Sequence, residues 1–240
     1  MIKYCYRRLK TYFNFLVSAI KSFMRLFVGM WHLTKVPQPA ITVFGGSRIA
    51  ADSIYAKKAA KLAELLALSN YSVITGGGPG IMEAANKGAY EAAKKLGIKR
   101  TKRARSVGIS LTSFSREIRN KYVNDMIVMR HFFARKWLLV RYSIGFVIFP
   151  GGFGTLDELF EVLTLEQTSK MQKLPVIFIG KHYWGPLIYW AKKRALPAGL
   201  ITEEDLKLIH VTSSIKEAVE IIKECCKSNG DMQKPLYHAK

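Results

Sequence analysis

The sequence predicts an α/β fold: a Rossmann-like, doubly wound, mostly parallel sheet with helices on both faces, preceded by an amphipathic N-terminal helix. Three observations predict it. Short apolar runs alternate with helical stretches from Ala40 onward. The runs are apolar at successive positions rather than every second one, as in strands covered on both faces. Glycine clusters follow three of these runs directly, where an open parallel sheet carries its ligands.

The elements follow in order. In residues 11–31, Phe13, Leu16, Val17, Ile20, Met24, Phe27 and Trp31 recur at helical spacing, with Asn14, Ser18, Lys21, Ser22 and Arg25 on the other side. Lys21 and Arg25 interrupt the run, and a membrane span wants about 20 nearly uncharged residues. No small-residue cleavage site follows. The expectation is a helix docked on its own domain or on a second subunit, with a membrane interface as the alternative for residues 1–36. Pro37 and Pro39 end it.

Strands are expected at Ile41–Phe44, Tyr71–Ile74, Ser106–Leu111, within Tyr122–Met129, and at Ile144–Phe149, Leu174–Ile179 and Leu208–Thr212. Helices are expected over 52–69, 81–96, 131–143, after the glycines at 151–155, and near 184–196 and 214–227. The domain reading is an extension at 1–39, a Rossmann-like core at 40–228 and a polar tail at 229–240.

Charge is unusual. The 240 residues hold 38 Lys and Arg against 17 Asp and Glu, a formal charge of +21. Residues 1–36 carry seven bases and no acid, and 94–105 carry seven bases in twelve residues. Such a balance favours anionic partners. Nucleic acid is disfavoured, because no recognition-helix or aromatic stacking motif accompanies the bases, and 94–105 reads as a solvated surface loop. The three cysteines, Cys5, Cys225 and Cys226, offer neither a disulfide framework nor metal-ligand spacing. The expectation is a cytoplasmic chain with no metal and no cofactor.

The glycine loops are 45–48, 76–80 and 151–155. Two run from a strand straight into a helix, whose unpaired N–H groups and dipole suit an anion. Neither continues as Gly-Lys-Ser/Thr or as the dinucleotide Gly-x-Gly-x-x-Gly, so phosphoryl transfer and NAD binding are disfavoured. Glu158, four residues beyond Gly154, would sit beside any anion held there, in the first turn of its helix. Such a carboxylate needs a cation partner or chemical work. Its simpler role, complementing the helix dipole, would suffice for Asp157. Arg135 and Lys136, on the preceding helix, are the natural cation source.

These residues carry a resemblance. Gly76–Asn86 (GGGPGIMEAAN), Phe132–Lys136 (FFARK) and Pro150–Glu158 (PGGFGTLDE) resemble the LONELY GUY-type phosphoribohydrolases, often mislabelled lysine decarboxylases. The likeness runs from about Ile41 to Cys225. It implies hydrolysis of the N-glycosidic bond of a purine nucleoside 5′-monophosphate, AMP or a cytokinin riboside 5′-monophosphate, to free base and ribose 5-phosphate. It implies Arg135 and Glu158 as catalytic residues. Lys136, Gly151, Gly152, Gly154 and Thr155 fall on its phosphate contacts, with Ser47, Gly77, Gly78, Glu117 and Thr164 as further substrate-binding positions. It also implies a homodimer or higher homo-oligomer. A decarboxylase would need a pyridoxal phosphate Schiff-base lysine, and nothing in the chain marks one. The family's Met-His-x-Arg-Lys is here His131-Phe-Phe-Ala-Arg-Lys136, which resembles a bacterial branch with an N-terminal extension. The alternative reading is a non-catalytic nucleotide sensor or carrier that keeps the same pocket.

Overall fold

Seven parallel strands form one sheet in the order β4-β3-β2-β1-β5-β6-β7. The computed structural model describes residues 2–95, 105–112 and 120–228. The strands are β1 Ala40–Phe44, β2 Ser72–Thr75, β3 Ser106–Leu111, β4 Asp125–Met129, β5 Phe146–Ile148, β6 Val176–Ile179 and β7 Ile209–Thr212. The helices are α1 Ile2–Leu33, α2 Ile54–Leu68, α3 Ile81–Lys95, α4 Phe132–Arg141, α5 Phe153–Gln167, α6 Lys181–Trp190, α7 Glu203–Lys207 and α8 Ile215–Ser228.

The predicted fold class is the observed one. Every residue of β1, β2, β3, β5 and β6 is buried, which explains their unbroken apolar runs. Successive side chains of a strand feed opposite layers. Ala40 and Phe44 join the layer under α4, α5 and α6, with Phe146, Phe178 and Trp184. Ile41 and Val43 join the layer under α2, α3 and α8, with Leu62, Ala85 and Ile222. In that second layer α2 and α3 approach so closely that a Cβ on Gly88 would lie 2.0 Å from the Ala60 carbonyl oxygen.

The order of the strands makes the switch point. From β1 the sheet grows one way through β2, β3 and β4, then returns to the other side of β1 at β5. The loops after β1 and β5 therefore leave the same edge side by side.

Several boundaries differ from the expectation. The third glycine loop yields to helix at Phe153, inside the glycine string, because Gly152 is already the N-cap. Glu158 and Asp157 therefore occupy the second turn, where the dipole no longer explains them. The helix expected near 184–196 begins at Lys181 and passes into a π-helical turn at Ala191–Ala195. The short α7 was not expected. Thr202 and Asp205 build it through a reciprocal capping box, a signal of only two residues. The basic run at 96–104 and the polar tail at 229–240 lie outside the described residues.

One buried acid marks the far end of α5. Glu166 is 2% exposed; its Oε1 accepts the Leu174 amide at 3.1 Å, and its Oε2 has no partner. Burial pushes its carboxyl up to about 8, against the opposing Leu174 hydrogen bond. The folded state therefore holds this proton more tightly than the unfolded state. Its contribution is fully present below about pH 4.5 and is lost as pH rises through about 8. Glu166→Gln keeps an acceptor for Leu174 and removes the titration. Denaturation at pH 5 and pH 8.5 should show the variant close to the parent at the lower pH and more stable by about 1–3 kcal/mol at the higher one.

Candidate active site

The site grows from three loops at the sheet's carboxyl edge. The Gly46 amide donates to the Pro150 carbonyl at 2.9 Å, tying the first loop to the third, and the Ile81 amide donates to the Gly46 carbonyl at 3.1 Å, tying it to the second. The spacing excludes side chains. A Cβ on Gly80 would lie 2.4 Å from the Gly46 oxygen, and Gly80 also holds a φ of +69°, which L-residues rarely adopt. A Cβ on Gly151 would lie 2.8 Å from the Gly46 nitrogen.

A buried polar network holds the second loop. Thr75 Oγ1 donates to Asn86 Oδ1 at 2.5 Å and accepts the Gly77 amide at 2.9 Å. Asn86 Nδ2 donates to Ser106 Oγ at 2.8 Å. Asn120 donates through its backbone to the Gly77 carbonyl and through Nδ2 to the Gly78 carbonyl and Asn86 Oδ1, all at 3.0–3.1 Å. Gly77 and Gly78 thus sit on a fixed support. Asn120 was missed from sequence, because it stands among other polar residues, between Arg119 and Lys121, and nothing local distinguishes it.

Arg135, in the first turn of α4, reaches over this support. Its Nε donates to the Ile109 carbonyl at 2.9 Å, and its Nη1 meets Glu158 Oε1 at 3.1 Å. A Cβ on Gly76 would lie 2.0 Å from Arg135 Nη2, so the guanidinium rests on bare backbone. The two side chains are 12% and 11% exposed. A pair this well removed from water gains little net stability. Burial pushes the Glu158 carboxyl up to about 7, although Arg135 pulls it down. The acid is thereby poised between its two protonation states near neutrality.

The other predicted residues sort around this pair. Gly151, Gly152, Gly154 and Thr155 form the turn into α5. Among the described residues, nothing lies within 4 Å of a Cβ at Gly152 or Gly154, and Gly152, Phe153 and Gly154 are all exposed at the start of α5, where a helix leaves its first amides unpaired. Thr155 is buried beneath Gly151, whose carbonyl accepts the Tyr183 hydroxyl at 2.5 Å. Lys136 turns to α5 instead of the loop, meeting Asp157 at 3.2 Å and Glu161 at 3.0 Å. These carboxylates hold its ammonium pKa above the usual lysine value, although burial, the largest single influence, opposes them. Ser47 lines a different cleft of about 620 Å³ between α2 and α3, with Arg48, Lys57, Lys87 and Tyr122. Thr164 lies farther along α5, on an apolar cavity of about 240 Å³ with Phe160, Leu187 and Leu206. Among the described residues, neither hydrogen-bonds to Arg135 or Glu158. Glu117 lies outside the described residues.

Residues 82–222, more than half of the chain, match the family described as "Possible lysine decarboxylase". The chain belongs to this family, the LONELY GUY family. Within the family, it is 33% identical over 152 residues to the pyrimidine/purine nucleotide 5′-monophosphate nucleosidase of Escherichia coli K12, covering 62% of this chain and 32% of that protein. The chain thus spans about a third of that relative's length. It is 28% identical over 186 residues to the cytokinin riboside 5′-monophosphate phosphoribohydrolase LOG4 of Arabidopsis thaliana, covering 77% of this chain and 81% of that one. Among solved structures, the molybdenum cofactor binding protein of Rippkaea orientalis superposes with a TM-score of 0.59 at 23% identity, covering 79% of this chain and 98% of that one. The last likeness is one of fold.

The Asn120 support is directly testable. Asn120→Ala leaves the Gly78 carbonyl without its side-chain donor and Asn86 Oδ1 with Thr75 Oγ1 alone, a loss typically costing about 1–3 kcal/mol. Thermal denaturation should show that cost. Nucleotide affinity, read by calorimetry, should fall with it, because the seat of Arg135 loosens.

Proposed function

We propose that this chain hydrolyses the N-glycosidic bond of a purine nucleoside 5′-monophosphate, AMP or a cytokinin riboside 5′-monophosphate, to the free base and ribose 5-phosphate, as a cytoplasmic enzyme. The observation that carries this reading is the buried Arg135–Glu158 pair, set on Gly76 beside the open N-terminus of α5. The printed activities of the bacterial and plant relatives support it.

Breaking a ribosyl C–N bond develops positive charge at the sugar carbon, as in other glycoside cleavages. A carboxylate in a poorly hydrated site stabilises that charge and accepts a proton from the attacking water. Glu158 suits both tasks, and its raised pKa places the carboxylate form above about pH 7. The 5′-phosphate would be held by the amides of Gly152–Thr155 and by the positive end of α5. Arg135 would bridge Glu158 and the bound phosphate. Lys136, occupied by Asp157 and Glu161, would contribute by steadying α4 against α5 and, once a phosphate competes for it, as a second cation.

Chromatography of the products from a panel of nucleoside 5′-monophosphates tests the reaction. Free adenine should appear from AMP or an N6-substituted AMP, and far more slowly from adenosine. Intact nucleotide throughout would favour the sensor or carrier. Glu158→Gln should lower kcat by about 10²–10⁴-fold while keeping the fold. For the parent enzyme kcat/KM should rise with pH through about 7, as the carboxyl loses its proton.

We also infer a homo-oligomer. Phe132 and Phe133 at the start of α4 and Phe153 at the start of α5 are exposed, Phe153 to 92%. Apolar surface of this kind is ordinarily covered. Light scattering should give at least twice 27.2 kDa; a fully active monomer would refute the inference.

A further inference from the structure

The sequence leads one to expect α1 to dock along its apolar face, but the structure docks only its end. Gly29 and Leu33 are buried, and Leu26 and Met30 pack on the core. A Cβ on Gly29 would lie 2.7 Å from Met129 and 2.9 Å from Leu138, so the last turns of α1 press on β4 and α4. Among the described residues, little covers the rest of the apolar face. Phe13, Leu16, Ile20, Phe23, Phe27 and Trp31 are all more than half exposed and follow one another along one side of the helix. At 1.5 Å per residue, the stripe from Leu9 to Trp31 runs about 33 Å. It continues past the docked turns on the side facing away from the domain, since Phe27, Val28 and Trp31 are as exposed as the residues before them.

We propose that α1 lies in the plane of an anionic lipid bilayer, its aromatic and aliphatic stripe among the acyl chains and its bases at the headgroups, and so holds the catalytic domain at the membrane surface. Charge selects this occupant. Residues 1–36 carry seven bases and no acid. Placing two copies stripe to stripe would double that charge with nothing to offset it, whereas anionic headgroups neutralise it. On the helix, Lys10 and Lys21 fall beside the stripe and Arg25 behind it, all exposed, where long side chains can reach headgroups.

Geometry selects lying over spanning. Arg7–Leu33 is long and apolar enough to cross a membrane by composition, with a mean hydropathy of 1.3 over its most apolar stretch. Its docked turns from Leu26 onward, however, belong to the domain. Between Lys10 and Lys21 only ten uncharged residues remain, against the roughly 20 that a span requires.

Flotation of the full chain tests the proposal, using vesicles of phosphatidylcholine alone and of phosphatidylcholine mixed with phosphatidylserine. The protein should float with the anionic vesicles, be released by high salt, and stay behind with the neutral ones. Leu16→Asp combined with Ile20→Asp should abolish flotation. Lys21→Glu combined with Arg25→Glu should weaken it about tenfold or more. All four positions are exposed and lie before the docked turns, and circular dichroism checks that the variants fold. No flotation, or equal flotation with both vesicles, overturns the proposal. Resistance to alkaline extraction overturns it in favour of a span. Loss of a dimer in the Leu16/Ile20 variant, without flotation of the parent, overturns it in favour of a second copy.

Discussion

The contact of three glycine loops, backbone against backbone, is the constraint on which the site depends. Gly46 lies between Pro150 and Ile81, giving its amide to one loop and its carbonyl to the other. No side chain fits between these strands of backbone: a Cβ at Gly45 would lie 2.4 Å from Ile81, and one at Gly80 equally close to Gly46. The contact exists because the strand order brings β1 between β2 and β5, so their exits share one edge of the sheet. Through it the start of α3, the start of α5 and the seat of Arg135 become one rigid unit.

On that unit the electrostatics divide into a pair and a trio with different characters. Arg135 and Glu158 are shielded from water, and burial outweighs the arginine in setting the acid's pKa. Lys136 is steadied by two acids, Asp157 and Glu161, that are more open to solvent. Among the described residues, three acids and two bases thus meet between α4 and α5. Beside them, Gly152 and Gly154 contribute no side chain at the start of α5. Their Cβ positions open on empty space, and side chains there would fill the approach to the helix.

The N-terminal helix obeys a separate logic. Its last turns complete the core under β4 and α4, so it is part of the domain's packing. Among the described residues, the stripe from Phe13 to Trp31 stays more than half exposed, although its apolar residues keep a regular spacing over about five turns. Periodicity specifies a helix and which side of it is apolar. It does not specify what covers that side, since a sheet, a second copy and a lipid layer all satisfy the same pattern.

The sequence by itself determined the fold class, the seven strands and the glycine loops, because apolar runs and glycine punctuation are local signals. It also singled out Arg135 and Glu158, through motifs whose spacing is conspicuous along the chain. Only the tertiary structure decided how these parts meet. Glu158 faces Arg135 across 23 positions, and Asn120 supports Gly78 across 42. Lys136, one residue from Arg135, turns to different acids because successive residues on a helix point about 100° apart. Ser47 and Thr164 carry the same chemistry as a ligand-binding hydroxyl, yet open on other clefts. Residue type announces what a side chain can do; its direction follows from the packing of helices on the sheet, which no local pattern records.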